Sequence, residues 1–206
     1  EDVADHALGL ILAARRHIVA GDRLIRQNGW TADTRMIVPA LKGQTLGIVG
    51  LGAIGRAIAH RADVFGMTVQ WWGPREKPAD WPRADSLLDL AAASDIMVVA
   101  CKADDSNIGL ISAQVLAALG SQGLLVNVAR GQLVDEPALM SALRSGVLGQ
   151  AALDVFDHEP TTAEHWNDVP NIILTPHTGG ATTQAVQAML GLLLQNLEAA
   201  FADRPL

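Results

Sequence analysis

Short apolar runs alternating with helix-like segments predict an α/β fold, a doubly wound parallel sheet with helices on both faces. Three observations carry this prediction. The runs Thr45 to Val49, Ile96 to Ala100 and Gly123 to Val128 are continuously apolar rather than alternating, as strands covered on both faces are. Segments with apolar residues at helical spacing separate them, as in Ala53 to Phe65 with Ile54, Ile58, Ala62 and Phe65. Gly, Asn and Asp punctuate the ends of the runs.

The elements follow in order. Glu1 to Arg16 is a helix with acids in its first turn and Arg15-Arg16 at its end, matching the helix dipole. Gly21 to Gly43, with Asn28-Gly29 and Pro39, is expected to be irregular. Strand Thr45 to Val49 and helix Ala53 to Phe65 lead to strand Met67 to Trp72. Ser86 caps a short helix through Ala92, followed by strand Ile96 to Ala100. Ser112 caps a helix to Leu119 ahead of strand Gly123 to Val128. Asp135-Glu136-Pro137 opens the next helix with an N-cap and a first-turn proline. Ala151 to Val155 and Ile172 to Leu174 complete the strands, and Thr182 or Thr183 starts a last helix to about Ala202. The chain opens inside a helical pattern and without Met, which suggests a piece of a longer protein; a processed natural start is the alternative.

Composition removes several function classes. The 206 residues are 50% apolar, enough to bury a sizeable core. No apolar run approaches the roughly 18 residues that would argue for a bilayer span, so no membrane role is expected. Net charge is −7 with no Lys/Arg cluster, so no nucleic-acid partner is expected. The single cysteine, Cys101, rules out an internal disulfide and a cysteine-cluster metal site, and the histidines form no metal-ligand array; no metal is expected. Without a visible signal peptide, a cytoplasmic location fits.

Gly50-Leu51-Gly52-Ala53-Ile54-Gly55 is a G-x-G-x-x-G turn directly between a strand and a helix. The first glycine permits the tight turn, the second lets a pyrophosphate approach, and the third lets helix and strand pack closely. Phosphate then rests on free N–H groups at the helix N-terminus. This context predicts a Rossmann-type dinucleotide site. An acid about 20 residues on should hold the adenosine ribose hydroxyls. Gly73 stands there instead, with Arg75 two residues later and Lys77 beyond. A missing carboxylate and a nearby guanidinium suit a 2′-phosphate and favour NADP(H). NAD(H), with Glu76 serving the ribose and Arg75 merely solvated, remains the alternative.

Three polar residues each follow a strand, where ligands bind in such sheets: Arg130, Glu159 and His177. Reduction of a 2-keto acid needs such a set. A guanidinium holds the carboxylate and polarises the carbonyl, an imidazole protonates the forming alkoxide, and a carboxylate orients that imidazole.

The ordered motifs Gly50-x-Gly52-x-x-Gly55, Asn127-x-x-Arg130-Gly131, Asp154-Val155-Phe156-x-x-Glu159-Pro160 and Pro176-His177-x-Gly179-Gly180 resemble the D-isomer-specific 2-hydroxyacid dehydrogenase family. Asp2-Val3-Ala4-Asp5 and Gly29-Trp30 add to the resemblance, which covers essentially the whole chain. It implies that Arg130 binds substrate, that His177 is the acid/base paired with Glu159, and that Asp154 contacts the nicotinamide carboxamide. Cofactor contacts are expected at Gly50, Gly52, Ala53, Ile54, Gly55, Gly73, Arg75, Cys101, Lys102, Ala129, Asp154, His177 and Gly179. The stretch Cys101 to Ser106 departs from the family's Leu-Pro-Leu-Thr-type turn, leaving Lys102 either a phosphate partner or an exposed side chain.

The resemblance further implies the cofactor domain of a two-domain enzyme. Residues 1–183 would form the dinucleotide-binding domain with an N-terminal helix and dimerisation arm. Residues 184–206 would form a helix returning toward a substrate domain mostly absent from this chain. Expected partners are a small 2-keto or 2-hydroxy acid, of glyoxylate or hydroxypyruvate type, and a second copy in a homodimer. Apolar Trp30, Met36, Ile37 and Val38 suit a partner surface or packing on their own domain. An NAD-linked D-2-hydroxyacid dehydrogenase and a non-catalytic, corepressor-like dinucleotide sensor are the competing readings.

Overall fold

The computed structural model describes residues 1–201. Six strands form one parallel sheet: β1 (Thr45–Val49), β2 (Thr68–Trp72), β3 (Ile96–Val99), β4 (Leu124–Asn127), β5 (Gln150–Leu153) and β6 (Ile172–Leu174). Their order is β2-β1-β3-β4-β5-β6. The expected doubly wound α/β sheet is therefore present.

The strands explain their own burial. In β3, Ile96 and Val98 enter one core while Met97 and Val99 enter the other; in β4, Leu124 and Val126 oppose Leu125. Successive side chains of a strand point to opposite faces, so a strand apolar at every position needs helices on both sides. One face receives α1 (Asp2–Arg15) and α3 (Ala53–Val64). The other receives α4 (Leu87–Ala92), α5 (Ala113–Leu119), α6 (Glu136–Ser145) and the short α7 (Ala163–Trp166). Strand order reverses between β1 and β3, so a crevice opens beyond their C-terminal ends.

Local expectations fare unevenly. Ser86 accepts from the Asp89 N–H at 3.0 Å and Asp135 from the Ala138 N–H at 3.0 Å, as caps should. Ser112 holds the cap position of α5 but its side chain makes no cap hydrogen bond. Phe65, expected on the buried face of α3, is exposed because it lies past the helix end. The start of the stretch expected to be irregular is a helix, α2 (Ile18–Arg26). Gly21 obscures it in sequence, yet an Asp22–Arg26 pair supports it, and His17 at φ 51° separates it from α1. Residues 27–43 are then irregular as expected. Arg15 does not face solvent at the end of α1; it is buried, donating to the Gln122 and Asp95 carbonyls.

The last helix, α8 (Thr183–Phe201), begins after Thr182, whose hydroxyl accepts from the Ala185 N–H at 3.0 Å. Ala202, its expected end, lies outside the described residues. None of its residues is buried, and Met189, Leu190, Leu193, Leu194 and Leu197 are exposed. Trp30, Met36 and Ile37 are also exposed, Ile37 at 93%, while Val38 is half-buried; Trp30 and Met36 line a shallow hollow with Leu24 and Ile25 of α2.

The glycine turn separates packing from access. A Cβ on Gly55 would meet the Gly50 carbonyl oxygen at 2.2 Å, whereas one on Gly52 meets nothing within 4 Å. Gly55→Ala is expected to destabilise the fold by about 1–3 kcal/mol in guanidinium unfolding. Gly52→Ala should stay within about 0.5 kcal/mol of the parent.

Candidate functional site

Gly50 leaves β1 at φ 97°, and a Cβ there would lie 2.5 Å from the Cys101 Cα. The β1 and β3 ends can therefore meet only over a glycine. Gly52 is the N-cap of α3 with no side-chain cap bond, so the first N–H groups of that helix open toward the crevice. Nothing occupies the space ahead of Gly52. This cradle fits a pyrophosphate: it offers backbone donors, a helix dipole and room at the position a side chain would fill.

Two clefts adjoin across this turn, both lined by Gly52, Cys101 and Lys102. One, of about 430 Å³, runs over Gly50, Gly73, Arg75 and Lys77. The other, of about 740 Å³, runs over Ala53, Ile54, Ala129, Arg130, Asp154, His177 and Gly179. Of the residues expected at the cofactor, only Gly55 lines neither, because it faces Gly50 within the turn. Lys77 donates to the Leu51 carbonyl at 3.3 Å, bringing a second cation beside Arg75. Arg83 donates to the Gly73 carbonyl at 2.8 Å and lies 5.9 Å over the Trp71 ring, bracing the loop where an acid was expected. The Cys101 to Ser106 turn is ordered by Asp104, which accepts from the Ser106 N–H, while Asn107 donates to the Lys102 carbonyl at 2.9 Å. The Lys102 side chain is exposed yet lines both clefts. Burial pushes the Cys101 thiol up, so it stays protonated.

Arg130, Glu159 and His177 come together from three strand ends. His177 Nδ1 lies 2.6 Å from Glu159 Oε2, and the other Glu159 oxygen accepts the Phe156 N–H at 3.0 Å. Burial opposes ionisation of Glu159, but its bonds from His177 and the Phe156 N–H, with the charges of His177 and Arg130, outweigh burial and hold its carboxyl below the usual range. Asn127, buried at the end of β4, fixes the Arg130 turn. It donates to the Arg130 carbonyl at 2.9 Å and accepts from the Ala129 N–H at 3.0 Å. Gly131 then packs on the next strand's loop, where a Cβ would meet the Phe156 carbonyl at 1.9 Å. His177 and Arg130 line the larger cleft, and Glu159 stands behind His177.

Asp154 lines that cleft, and its carboxylate, 3% exposed, is held by the protein chiefly at one oxygen. It accepts from the Thr178 N–H at 2.9 Å, the Gly179 N–H at 2.8 Å and Thr175 Oγ1 at 2.6 Å. His6 Nε2 of α1 lies 3.1 Å away. His177 sits at φ 54°, which costs a non-glycine residue roughly 1–2 kcal/mol, and Asp154 grips the two residues that follow. Burial raises the Asp154 carboxyl, and these donors together with His6 more than reverse that and lower it. Neither His6 nor Asn127 was singled out from sequence as a functional residue. His6 gave no signal, because its partners are the distant residues 154 and 175; Asn127 stood in the motif without an assigned task.

A carboxyl lowered in the fold stabilises above its unfolded value, and that stabilisation is lost as pH falls through the folded value. Asp154→Asn should therefore cost about 1–3 kcal/mol near neutral pH in urea unfolding, and the gap should narrow once pH falls below the ordinary aspartate range. A gap independent of pH would mean that the charge does not hold the His177 turn.

The profile of "D-isomer specific 2-hydroxyacid dehydrogenase, NAD binding domain" matches residues 8–179. Hydroxyphenylpyruvate reductase of Plectranthus scutellarioides is 41% identical over 100% of this chain, as is glyoxylate/hydroxypyruvate reductase A of Arabidopsis thaliana. The chain spans 66% of the length of each. An NADPH-dependent glyoxylate/hydroxypyruvate reductase of Sinorhizobium meliloti, solved with NADP and malonate, superposes with a TM-score of 0.89 at 36% identity. That match covers 97% of this chain and 64% of the other. With most of its length matched by that profile, the chain belongs to the D-isomer specific 2-hydroxyacid dehydrogenase family.

Proposed function

We propose that this chain is the cofactor-binding part of an oxidoreductase that transfers hydride between NADP(H) and a small 2-keto or 2-hydroxy acid, of glyoxylate or hydroxypyruvate type. The observation that carries the reading is the 2.6 Å His177–Glu159 pair at a cleft continuous with the glycine turn. Glu159 engages Nδ1, which leaves His177 Nε2 for a substrate oxygen. In reduction, His177 delivers its Nε2 proton to the carbonyl oxygen as that oxygen gains charge, and Glu159 stabilises the imidazolium beforehand. Arg130 binds the substrate carboxylate and polarises the carbonyl. Bound dihydronicotinamide supplies the hydride. Asp154 keeps the His177 turn in place and offers its edge of the cleft to the carboxamide.

NADP(H) is preferred over NAD(H) because Gly73 brings no carboxylate and Arg75 and Lys77 line the same cleft. Relatives described as reductases of glyoxylate and hydroxypyruvate support the substrate class. Residues 1–183 are assigned to the dinucleotide-binding domain, and the exposed apolar side chains of α8 to contact with a substrate domain. Trp30, Met36 and Ile37 are assigned to a homodimer contact. No helix among the described residues is long and apolar enough to cross a membrane, and a cytoplasmic location is consistent with that.

Two substitutions in the intact protein test the assignment. His177→Ala should lower glyoxylate turnover about a hundred- to ten-thousand-fold with cofactor affinity retained. Retained turnover sinks the acid/base role. Arg75→Ala should weaken NADPH binding about tenfold by fluorescence titration while leaving NADH unchanged; an unaltered NADPH/NADH ratio refutes the 2′-phosphate contact.

A further inference from the structure

Glu136 is a buried acid that this reaction does not use. It lies in the first turn of α6 and is only 9% exposed. Burying a carboxylate is costly unless both oxygens are satisfied. Here one oxygen lies 2.8 Å from His165 Nε2, and the other accepts the Asp157 N–H at 3.2 Å. His165, on α7, stands edge-on to Trp166 at 4.9 Å. Trp166 packs 5.8 Å from Phe156 and donates from Nε1 to Thr161 Oγ1 at 2.9 Å. The 156–161 loop that carries Glu159 is thus held at its first peptide by Glu136 and near its end by Trp166.

The Phe156–Asp157 peptide is where both sides of the site meet. Gly131, next to Arg130, packs so closely on it that a Cβ would come within 1.9 Å of the Phe156 carbonyl carbon and 2.4 Å of the Asp157 nitrogen. The Phe156 N–H, one bond sequence earlier, holds Glu159 Oε1 at 3.0 Å. A shift of this peptide therefore moves Arg130 and Glu159 together. The other charged groups nearby are engaged elsewhere or solvated: Asp135 caps α6, and the half-exposed Asp157 carboxylate lies 3.9 Å from exposed His158.

We propose that Glu136 and His165 form a second carboxylate–imidazole pair whose task is to position Glu159 against His177 and to register Arg130 beside them. Both are positioning residues. The proposal rests on the reaction assigned to His177, so one arm of its test needs no turnover.

In the intact protein, Glu136→Ala, Glu136→Gln and His165→Ala are compared with the parent and with Glu159→Gln. The first readout is the imidazole Nδ1 proton of His177 in histidine-labelled NMR spectra. In Glu136→Ala and His165→Ala this resonance should broaden or move toward its position in Glu159→Gln. The second readout is steady-state glyoxylate reduction with NADPH, where kcat should fall about tenfold or more while NADPH affinity holds within about twofold. Glu136→Gln should restore both, since its amide oxygen accepts the Asp157 N–H and its amide nitrogen donates to His165. An unchanged His177 resonance in both Glu136→Ala and His165→Ala overturns the proposal, as does a Glu136→Gln protein as impaired as Glu136→Ala. If Glu136→Ala does not fold, His165→Ala decides, because it removes only a half-exposed ring. If the parent reduces no 2-keto acid, the reaction assignment falls, and the NMR arm still decides the positioning.

Discussion

A single buried carboxylate ties the reactive end of the sheet together. Asp154 ends β5, receives two N–H groups from the turn after β6, one hydroxyl from Thr175, and faces an imidazole from α1. An ionised carboxylate accepts bonds at both oxygens, so it can hold four donors that no neutral side chain of its size could. The turn so held contains His177 in a left-handed conformation. Without it, the imidazole would lose the backbone that aims it at Glu159. One residue thereby joins a strand end, the next strand's loop and the first helix.

The other half of the site depends on backbone more than on charge. A chain of net charge −7 offers an anion no broad attractive field. The glycine turn compensates with a helix N-terminus freed of side chains, and with Arg75, Lys77 and Lys102 as local cations along one groove. The close approach of Gly50 to Cys101 closes the floor of that groove. Access and packing are thus divided between glycines a few residues apart.

Two apolar surfaces are largely exposed among the described residues. One is α8; the other is the arm with Trp30, 68% exposed, and Ile37. Exposed apolar surface of this kind is what the proposed contacts with a substrate domain and a second copy would cover. The chain spans 66% of the length of the two plant reductases that it matches.

The strands, the glycine turn and the caps at Ser86 and Asp135 were legible in the sequence because their physics is local. Burial on both faces demands continuous apolar runs, and a phosphate cradle demands glycine at fixed spacing. The types of the three strand-end residues were legible too, since each follows its own strand. Their pairing was expected only through the family resemblance, not from the residues themselves. The contact of His177 with Glu159, the inward use of Asp154, the role of His6 and the peptide shared by Gly131 and Glu136 all join residues far apart in the chain. Helix α2 was hidden for a related reason: Gly21 weakens its pattern, and no residue of it is buried to mark a core-facing stripe. Residue order alone determined which groups could stand at the ends of the strands. Only the closing of the sheet decided which of them touch, because register and crossover packing are fixed by many distant contacts at once rather than by any local preference.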